Sequence, residues 1–491
     1  MNGAMSSTPE PWRFPVKGIA ARLFFTCWLI FTLHFATNTV REVYLALAIG
    51  DHLSYRVDEY AGIHDDLFEM PGRGWHIGNN PGASMLAAIP YAAAAPVVNR
   101  ITASVNQRRA QSGAQPPVYD SPWPRAREFY AEAWRRGYDV KFGLGAFVMQ
   151  AFCMAPLSAA AAVVMFLLLR RLTGSDQAGL WLSLLYAFGT PVFFRTGFLN
   201  QNMLVGHFAL AGFAALWMLN SRRSAVLAGL CGGMSVLMDY SGALILVSMG
   251  IYCLLWLPNK VTAYAVGAVA PVLLLWHYQW QSFGNPFYPG QRYMPPVEWI
   301  DRGFQGVEGP QWELAWQLAF DYRFGLFLSC PLLLLALLWP RIKPPVLRRE
   351  LWHLLATAAL ILLFFSGVNY TRLQFNTGIR YMAPALPLLF IPAALVLRQW
   401  FAGRARFAVY LVAIAAMAQS WCLAMYRDVE RGLGLGEPIL RVFLGGFQLP
   451  ALTTISRLAG GELAQSSALP LLLLALAGCI LYGVWKPWER T

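Results

Sequence analysis

The sequence predicts an all-α integral membrane protein: a polytopic helical bundle of about eleven to thirteen transmembrane helices, with further helices lying against the membrane outside it. Three observations predict it. The 491 residues are 57% hydrophobic and only 13% charged, outside the usual composition of water-soluble domains. Twelve long runs carry no Asp, Glu, Lys or Arg: 23–40, 142–169, 177–194, 196–221, 224–238, 240–259, 261–291, 324–340, 351–371, 381–397, 407–426 and 463–485. Basic residues also cluster between alternate pairs of runs, the charge pattern of cytoplasmic loops in multi-pass proteins.

The first run follows Arg13, Lys17 and Arg22. With eleven more runs behind it, it reads as an uncleaved anchor, not a signal peptide. The runs on either side of Asp239 are two short helices joined at "MDYSG", or one long helix kinked there. The apolar segment "GASMLAAIPYAAAAPVV" at 82–98 decides the topology of everything after it. If it stays on the outer side, the inner ends hold seventeen basic and four acidic residues while the outer segments balance. If it crosses, the positive excess spreads over both faces. The charge bias therefore places 82–98 as a juxtamembrane or re-entrant helix outside. The chain then reads as one polytopic membrane domain, 1–491. Its external segment 41–141 is acidic and holds juxtamembrane helices, and further external loops lie at 284–323, 369–380 and 427–462.

The seven cysteines, Cys27, Cys153, Cys231, Cys253, Cys330, Cys422 and Cys479, all sit in apolar runs. None falls in a zinc or disulfide spacing, so they read as small hydrophobes. The net charge of +13 marks the cytoplasmic face and does not argue for nucleic acid.

The stretch "VDEYAGIHDDLFE", 57–69, concentrates Asp58, Glu59, Asp65, Asp66 and Glu69 among Tyr55, Tyr60, His64, Trp75 and His76. Such clustering is a solvated negative surface, or a site that stacks on and hydrogen-bonds a polar ring such as a sugar. "GWHIGNNPGAS" follows, with His76, Asn79 and Asn80 ahead of a turn. A helix opening near Gly82 would aim free N–H groups at an anion. Asp239 is an ionisable group within apolar sequence, functional if buried and wet if it sits in a turn. Asn200, Gln201, Asn202 and His207 could reach a sugar or could cap and bond neighbouring helices. Residues 100–141 carry "NQRRAQ" and "PRAREFYAEAWRRGYD", with aromatics at helical spacing. They predict an amphipathic helix on the membrane, suited to an anionic lipid carrier or polysaccharide.

"TNTVREVYLALAIGDHLS" (37–54) and "HIGNNPGASMLAAIPY" (76–91) together resemble the GT-C superfamily of membrane glycosyltransferases, which includes protein O-mannosyltransferases and the lipid A aminoarabinose transferase. "SFGNPFYPG", "FGLFLSCPLLLLAL" and "GIRYMAPALPLL" are similar to stretches of its bacterial members. The resemblance implies a GT-C-like bundle in a bacterial cytoplasmic membrane with its active site facing the exterior. It implies transfer of a sugar from a polyprenyl-phosphate donor to a lipid, glycan or protein acceptor, with an acid just after the first span as general base. By position that acid is Glu42, although many members place Asp or Asp-Glu where this chain has Arg41-Glu42. Asp58, Asp65 and Asp66 are rivals for the role.

An acceptor hydroxyl needs a carboxylate to take its proton, and the departing phosphate needs cations. Arg372 and Arg380, with Tyr381 beside the latter, are the first candidates to bind phosphate, then Arg292 and Arg41. Each arginine could instead snorkel to lipid headgroups. Glu59, His76, Asn79, Asn80 and Asp239 complete the expected substrate-binding set. No cofactor is expected. Asp65 and Asp66 could hold a divalent cation, but no ligand set of recognisable spacing accompanies them. The competing classes are a lipid or glycan transporter or flippase, whose internal symmetry is not visible here, and a glycan ligase or polymerase.

Overall fold

The computed structural model describes residues 16–37, 39–120, 124–219, 221–295, 302–342, 348–372, 378–425, 434–459 and 468–486. It is a helical bundle with one short antiparallel hairpin. In chain order the first elements are α1 (Val16–Leu33), α2 (Arg41–His52), β1 (Leu67–Met70), β2 (Gly74–Ile77), α3 (Gly82–Ser112), α4 (Pro124–Arg135), α5 (Asp139–Met149) and α6 (Ala155–Thr173). Next come α7 (Asp176–Phe188), α8 (Val192–Arg195), α9 (Gln201–Met218), α10 (Arg222–Met238), α11 (Gly242–Trp256) and α12 (Val261–Phe283). The chain ends through α13 (Trp312–Phe320), α14 (Leu326–Ser329), α15 (Arg348–Ser366), α16 (Leu386–Phe401), α17 (Arg406–Met425), α18 (Gly436–Gly445), α19 (Pro450–Ala459) and α20 (Ala468–Trp485).

Eight helices among the described residues are long and apolar enough to cross a membrane, or nine if the bent pair α18–α19 is one span. Seven of the eight lie on the apolar runs and the eighth is α3, the segment that the charge bias places outside the membrane; the other runs fold as shorter or less apolar helices. The run 177–194 divides at Gly189 into α7 and α8. The run 324–340 becomes α14 and a 3₁₀ stretch, Pro331–Arg341. The "MDYSG" segment is a turn between two helices: Ser241 N–H donates to Asp239 Oδ1 at 2.9 Å and Gly242 N–H to the Asp239 carbonyl at 2.8 Å. α10 and α12 pack at backbone contact. A Cβ on Gly229 of α10 would lie 1.8 Å from the Tyr264 carbonyl oxygen, and one on Gly267 of α12 would lie 2.0 Å from that of Val226. Where lipid gives helices no hydrophobic reason to associate, such close approach supplies the dispersion that holds them.

The bundle has two chemically different ends. Arg170, Arg171, Arg222, Arg223, Lys260, Arg348, Arg349, Arg398 and Arg406 sit at or beside one set of helix termini, where Arg171 Nη1 donates to the Met218 carbonyl at 2.8 Å. The other end carries α2, the hairpin, α3 and the long connections. α5 runs through a π-helical turn, Gln150–Met154, into α6. Gln150 Nε2 donates to the carbonyls of Phe31 and Thr196, at 2.9 and 3.1 Å. The whole of α5 therefore projects beyond the end of α1, by about 16 Å at helical rise.

α2 and α3 pack on this projection. α3, about 46 Å long, meets the same end of the bundle twice. Its first residue, Gly82, abuts the Leu237 carbonyl at the close of α10, and Arg109 near its end forms two hydrogen bonds, 2.8 and 2.9 Å, to Asp139 at the opening of α5. The basic aromatic segment divides: 100–112 completes α3, and 124–135 is the separate amphipathic helix α4.

A buried ion pair binds α2, α3 and α5 together. Lys141 Nζ lies 2.9 Å from Asp51 Oδ2, with the two side chains 11% and 4% exposed. Tyr91 and Asn99 of α3 each donate to Asp51 at 3.0 Å. Removing one partner from such a pair strands the other charge out of water. Lys141→Met is expected to cost about 3–5 kcal/mol, read as a lowered thermal midpoint of the protein in nanodiscs.

Candidate active site

The site starts where α1 passes into α2. Glu42 is in the first turn of α2, where the unpaired N–H groups of the helix terminus favour a carboxylate. It is 6% exposed, so its charge must be met by protein. Asn79 Nδ2 donates to Glu42 Oε1 at 2.8 Å, and Arg41 Nε approaches the same oxygen at 3.4 Å. Ser84 Oγ, in the first turn of α3, donates to the Glu42 carbonyl at 2.8 Å. The turn after β2 and the opening of α3 thus close directly over the opening of α2.

Arg41 Nη1 reaches Asp66 Oδ2 at 2.8 Å, between side chains 16% and 32% exposed. Burial by itself would raise the Asp66 carboxyl, but the nearby positive charge, that of Arg41 first, outweighs it and holds the group below the ordinary carboxylate range. His64 Nδ1 accepts the Asp66 backbone N–H at 3.0 Å, which assigns the ring proton to Nε2. Burial pushes His64 below its usual value, against the pull of Asp66, so it is neutral at physiological pH.

Asn79 also donates to Gln201 Oε1 at 3.2 Å, and Gln201 Nε2 donates to Asp239 Oδ2 at 2.8 Å. Asp239 sits in the turn after α10, half-buried. Burial raises its carboxyl, opposed by its bonds to Ser241 and by the charges of Arg41 and Arg380. Gln201 opens α9, whose cap is Asn200, its side chain accepting Met203 N–H at 3.2 Å. Asn202 Nδ2 contacts the Arg380 carbonyl at 3.4 Å. Arg380 lies within electrostatic reach of both Asp66 and Asp239, with its guanidinium carbon 5.0 Å from the Tyr381 ring centroid. Tyr381 acts in turn on Arg41.

The structure therefore brings Arg41, Glu42, Asp66, Asn79, Asp239, Arg380 and Tyr381 into one neighbourhood. The remaining expected residues lie apart from it or are engaged elsewhere. Asp58 pairs with Arg56 at 2.7 Å and accepts Trp75 N–H at 2.6 Å. Glu59 faces Lys141 at 3.8 Å. Asp65 meets Arg125 at 3.1 Å, both more than 80% exposed, so the adjacent acids Asp65 and Asp66 turn to different partners. Among the described residues no group of three or more His, Cys, Asp or Glu is arranged to hold a metal ion.

His76 is buried with its ring nitrogens on the carbonyls of Tyr55 and Arg73, at 3.2 and 3.1 Å. Asn80 donates to the Val236 carbonyl at 2.7 Å. Arg292 is exposed over the Tyr288 ring. Arg372 donates to Asn369 Oδ1 at 3.0 Å and to Gln311 Oε1 at 2.7 Å. His207 bonds Ser158 Oγ at 2.8 Å inside the bundle. Of the polar residues that open α9, Gln201 links Asn79 to Asp239 while Asn202 touches the Arg380 carbonyl, and only their place in the run "LNQNM" distinguishes them in the sequence.

The fold is that of a GT-C-like polytopic membrane bundle. No family model matches the chain, and no curated protein matches it in sequence. Among solved structures it is similar to ArnT from Cupriavidus metallidurans in the apo state. That likeness has a TM-score of 0.50 at 14% sequence identity and covers 96% of this chain and 76% of the other. At that identity the likeness shows the fold.

Asp66 yields a pH-dependent expectation. Its folded value is depressed, so the stability it contributes is complete above the ordinary carboxylate range and is lost as pH falls through the lower folded value. Hydrogen exchange of residues 61–77 should accelerate on acidification through that window. In Asp66→Asn it should be faster at neutral pH and show less of this dependence.

Proposed function

We propose that the protein is a glycosyltransferase that moves a sugar from a polyprenyl-phosphate-linked donor to an acceptor at the outer face of the cytoplasmic membrane. The observation that carries this reading is Glu42: a carboxylate secluded at a helix N-terminus at one end of a GT-C-like bundle, with Arg41 and Arg380 close by. Arg41 and Asn79 both engage Oε1, which leaves Oε2 to face the acceptor.

The reaction runs by proton and bond exchange. Oε2 takes the proton of an acceptor hydroxyl. The oxygen so freed forms its bond to sugar C1 while the bond from C1 to the carrier phosphate breaks, and that electron pair leaves on the phosphate. Arg380 balances the growing phosphate charge from one side. Arg41, already paired with Asp66 and beside Glu42, supplies positive charge to the same site. Tyr381, beside Arg380, offers a face for the sugar or the carrier.

The sidedness has its own support. The arginine-rich helix ends lie opposite the site, as the positive-inside bias requires of a site facing outward. α3 meets the site-bearing end at both of its termini, consistent with a helix lying along the outer face. A transporter would place its charged groups near the bilayer midplane, whereas Arg41, Glu42, Asp66 and Asp239 gather at the helix ends.

Purified protein in nanodiscs, supplied with a panel of undecaprenyl-phosphate sugars, is expected to release the lipid phosphate and glycosylate an acceptor. Glu42→Gln should lower turnover by about 10²–10⁴-fold at an unchanged thermal midpoint, and full activity in that variant would remove Glu42 as the base. Asp65→Cys, at a side chain 83% exposed, should react in intact cells with a membrane-impermeant maleimide. Labelling only after permeabilisation would reverse the topology.

A further inference from the structure

Two acceptor groups, Glu42 and Asp239, are joined by two amides. Asp239 Oδ1 takes the Ser241 N–H at 2.9 Å and Oδ2 takes Gln201 Nε2 at 2.8 Å. Gln201 Oε1 then takes Asn79 Nδ2 at 3.2 Å, and the same Nδ2 gives its second hydrogen to Glu42 Oε1 at 2.8 Å. An ionised carboxylate only accepts hydrogen bonds, whereas an amide has one donating and one accepting end and can rotate by half a turn.

With both carboxylates ionised, the chain of bonds is consistent in one orientation alone. Were Gln201 reversed, its oxygen would face the Asp239 carboxylate and its NH₂ would face the NH₂ of Asn79, which is repulsive at both contacts. Asp239 therefore selects the orientation of Gln201. Gln201 in turn selects that of Asn79, whose amide must then present hydrogen to Glu42. The linkage spans three elements of the bundle, because Asp239 follows α10, Gln201 opens α9 and Asn79 precedes α3. Asn79 is 5% exposed, so water cannot readily replace a lost partner.

We infer that Asp239 is a positioning residue for Glu42, acting through the amides of Gln201 and Asn79, whose polarity it sets. Its consequence for turnover rests on the reading of Glu42 as general base, while the hydrogen-bond relay itself can be tested without any sugar substrate. The probe is dicyclohexylcarbodiimide, which reacts with protonated carboxyls in apolar surroundings. It is applied at neutral pH to the whole protein in nanodiscs, and labelling is read peptide by peptide by mass spectrometry.

Asp239→Asn keeps the shape of residue 239 but no longer dictates which end of Gln201 faces it, and Gln201→Leu breaks the relay at its centre. Each is expected to raise labelling at Glu42 roughly tenfold, the change that follows from loosening one hydrogen bond to a charged group. The double variant should label no more than either single one, because Asp239 acts only through Gln201. Asp66 is the internal control: it belongs to the same site but not to the relay, so its labelling should stay level. Unchanged labelling of Glu42 in Asp239→Asn would overturn the inference. Multiplied effects in the double variant, or an equal rise at Asp66, would overturn it too, the last marking general loosening. If the relay pattern appears while Glu42→Gln still turns over, the base assignment falls and the relay stands. If the pattern is absent while Glu42→Gln is inactive, the relay falls and the base stands.

Discussion

The bond from Asn79 Nδ2 to Glu42 Oε1 is the contact around which this end of the molecule is organised. A carboxylate shielded from water must be met by donors or it takes up a proton. Meeting that demand brings the turn after the hairpin onto the opening of α2, and through Gln201 it reaches α9 and the turn after α10. Residues 42, 79, 201 and 239, scattered over two hundred positions, are held together by the electrostatic needs of two acids. The Arg41–Asp66 pair draws the acidic loop onto the same point.

The scaffold beneath obeys a different rule. Inside the bilayer every backbone polar group is satisfied within helices, and the helices are held by fit, as where Gly229 and Gly267 let α10 and α12 meet at backbone distance. Polar side chains within the bundle are spent on the scaffold: Gln150 ties the π turn to α1 and to Thr196, and Ser158 binds His207. The scaffold is thereby rigid where the long connections must be placed. α5 carries that rigidity outward as the post on which α2 and α3 rest, fastened by Lys141 and Asp51.

Part of this organisation was legible in the residues. The apolar runs marked a helical membrane bundle because only helices or closed barrels tolerate lipid, and the basic clusters mark one of its two ends. The charge balance around 82–98 argued for a helix outside the membrane; α3 meets one end of the bundle at both of its termini, and it is also long and apolar enough to cross. Span lengths were less legible. A run such as 177–194 is apolar throughout, and what divides it is a turn at Gly189 that hydropathy does not register.

The site divides in the same way. The density of acid after the first apolar run drew attention to the segment, but it could not separate Asp66, which meets Arg41, from Asp58, Glu59 and Asp65, which meet Arg56, Lys141 and Arg125. Composition and periodicity by themselves determined that the chain is a helical membrane protein with charged chemistry gathered at one face, because burial in lipid and charge bias across a membrane are properties of segments. Which acid is buried, which is wet and which amide stands between two of them was decided only by the tertiary structure. A hydrogen bond depends on position to a fraction of an ångström, and no linear pattern encodes the approach of Asn79 to Glu42 or of Gln201 to Asp239.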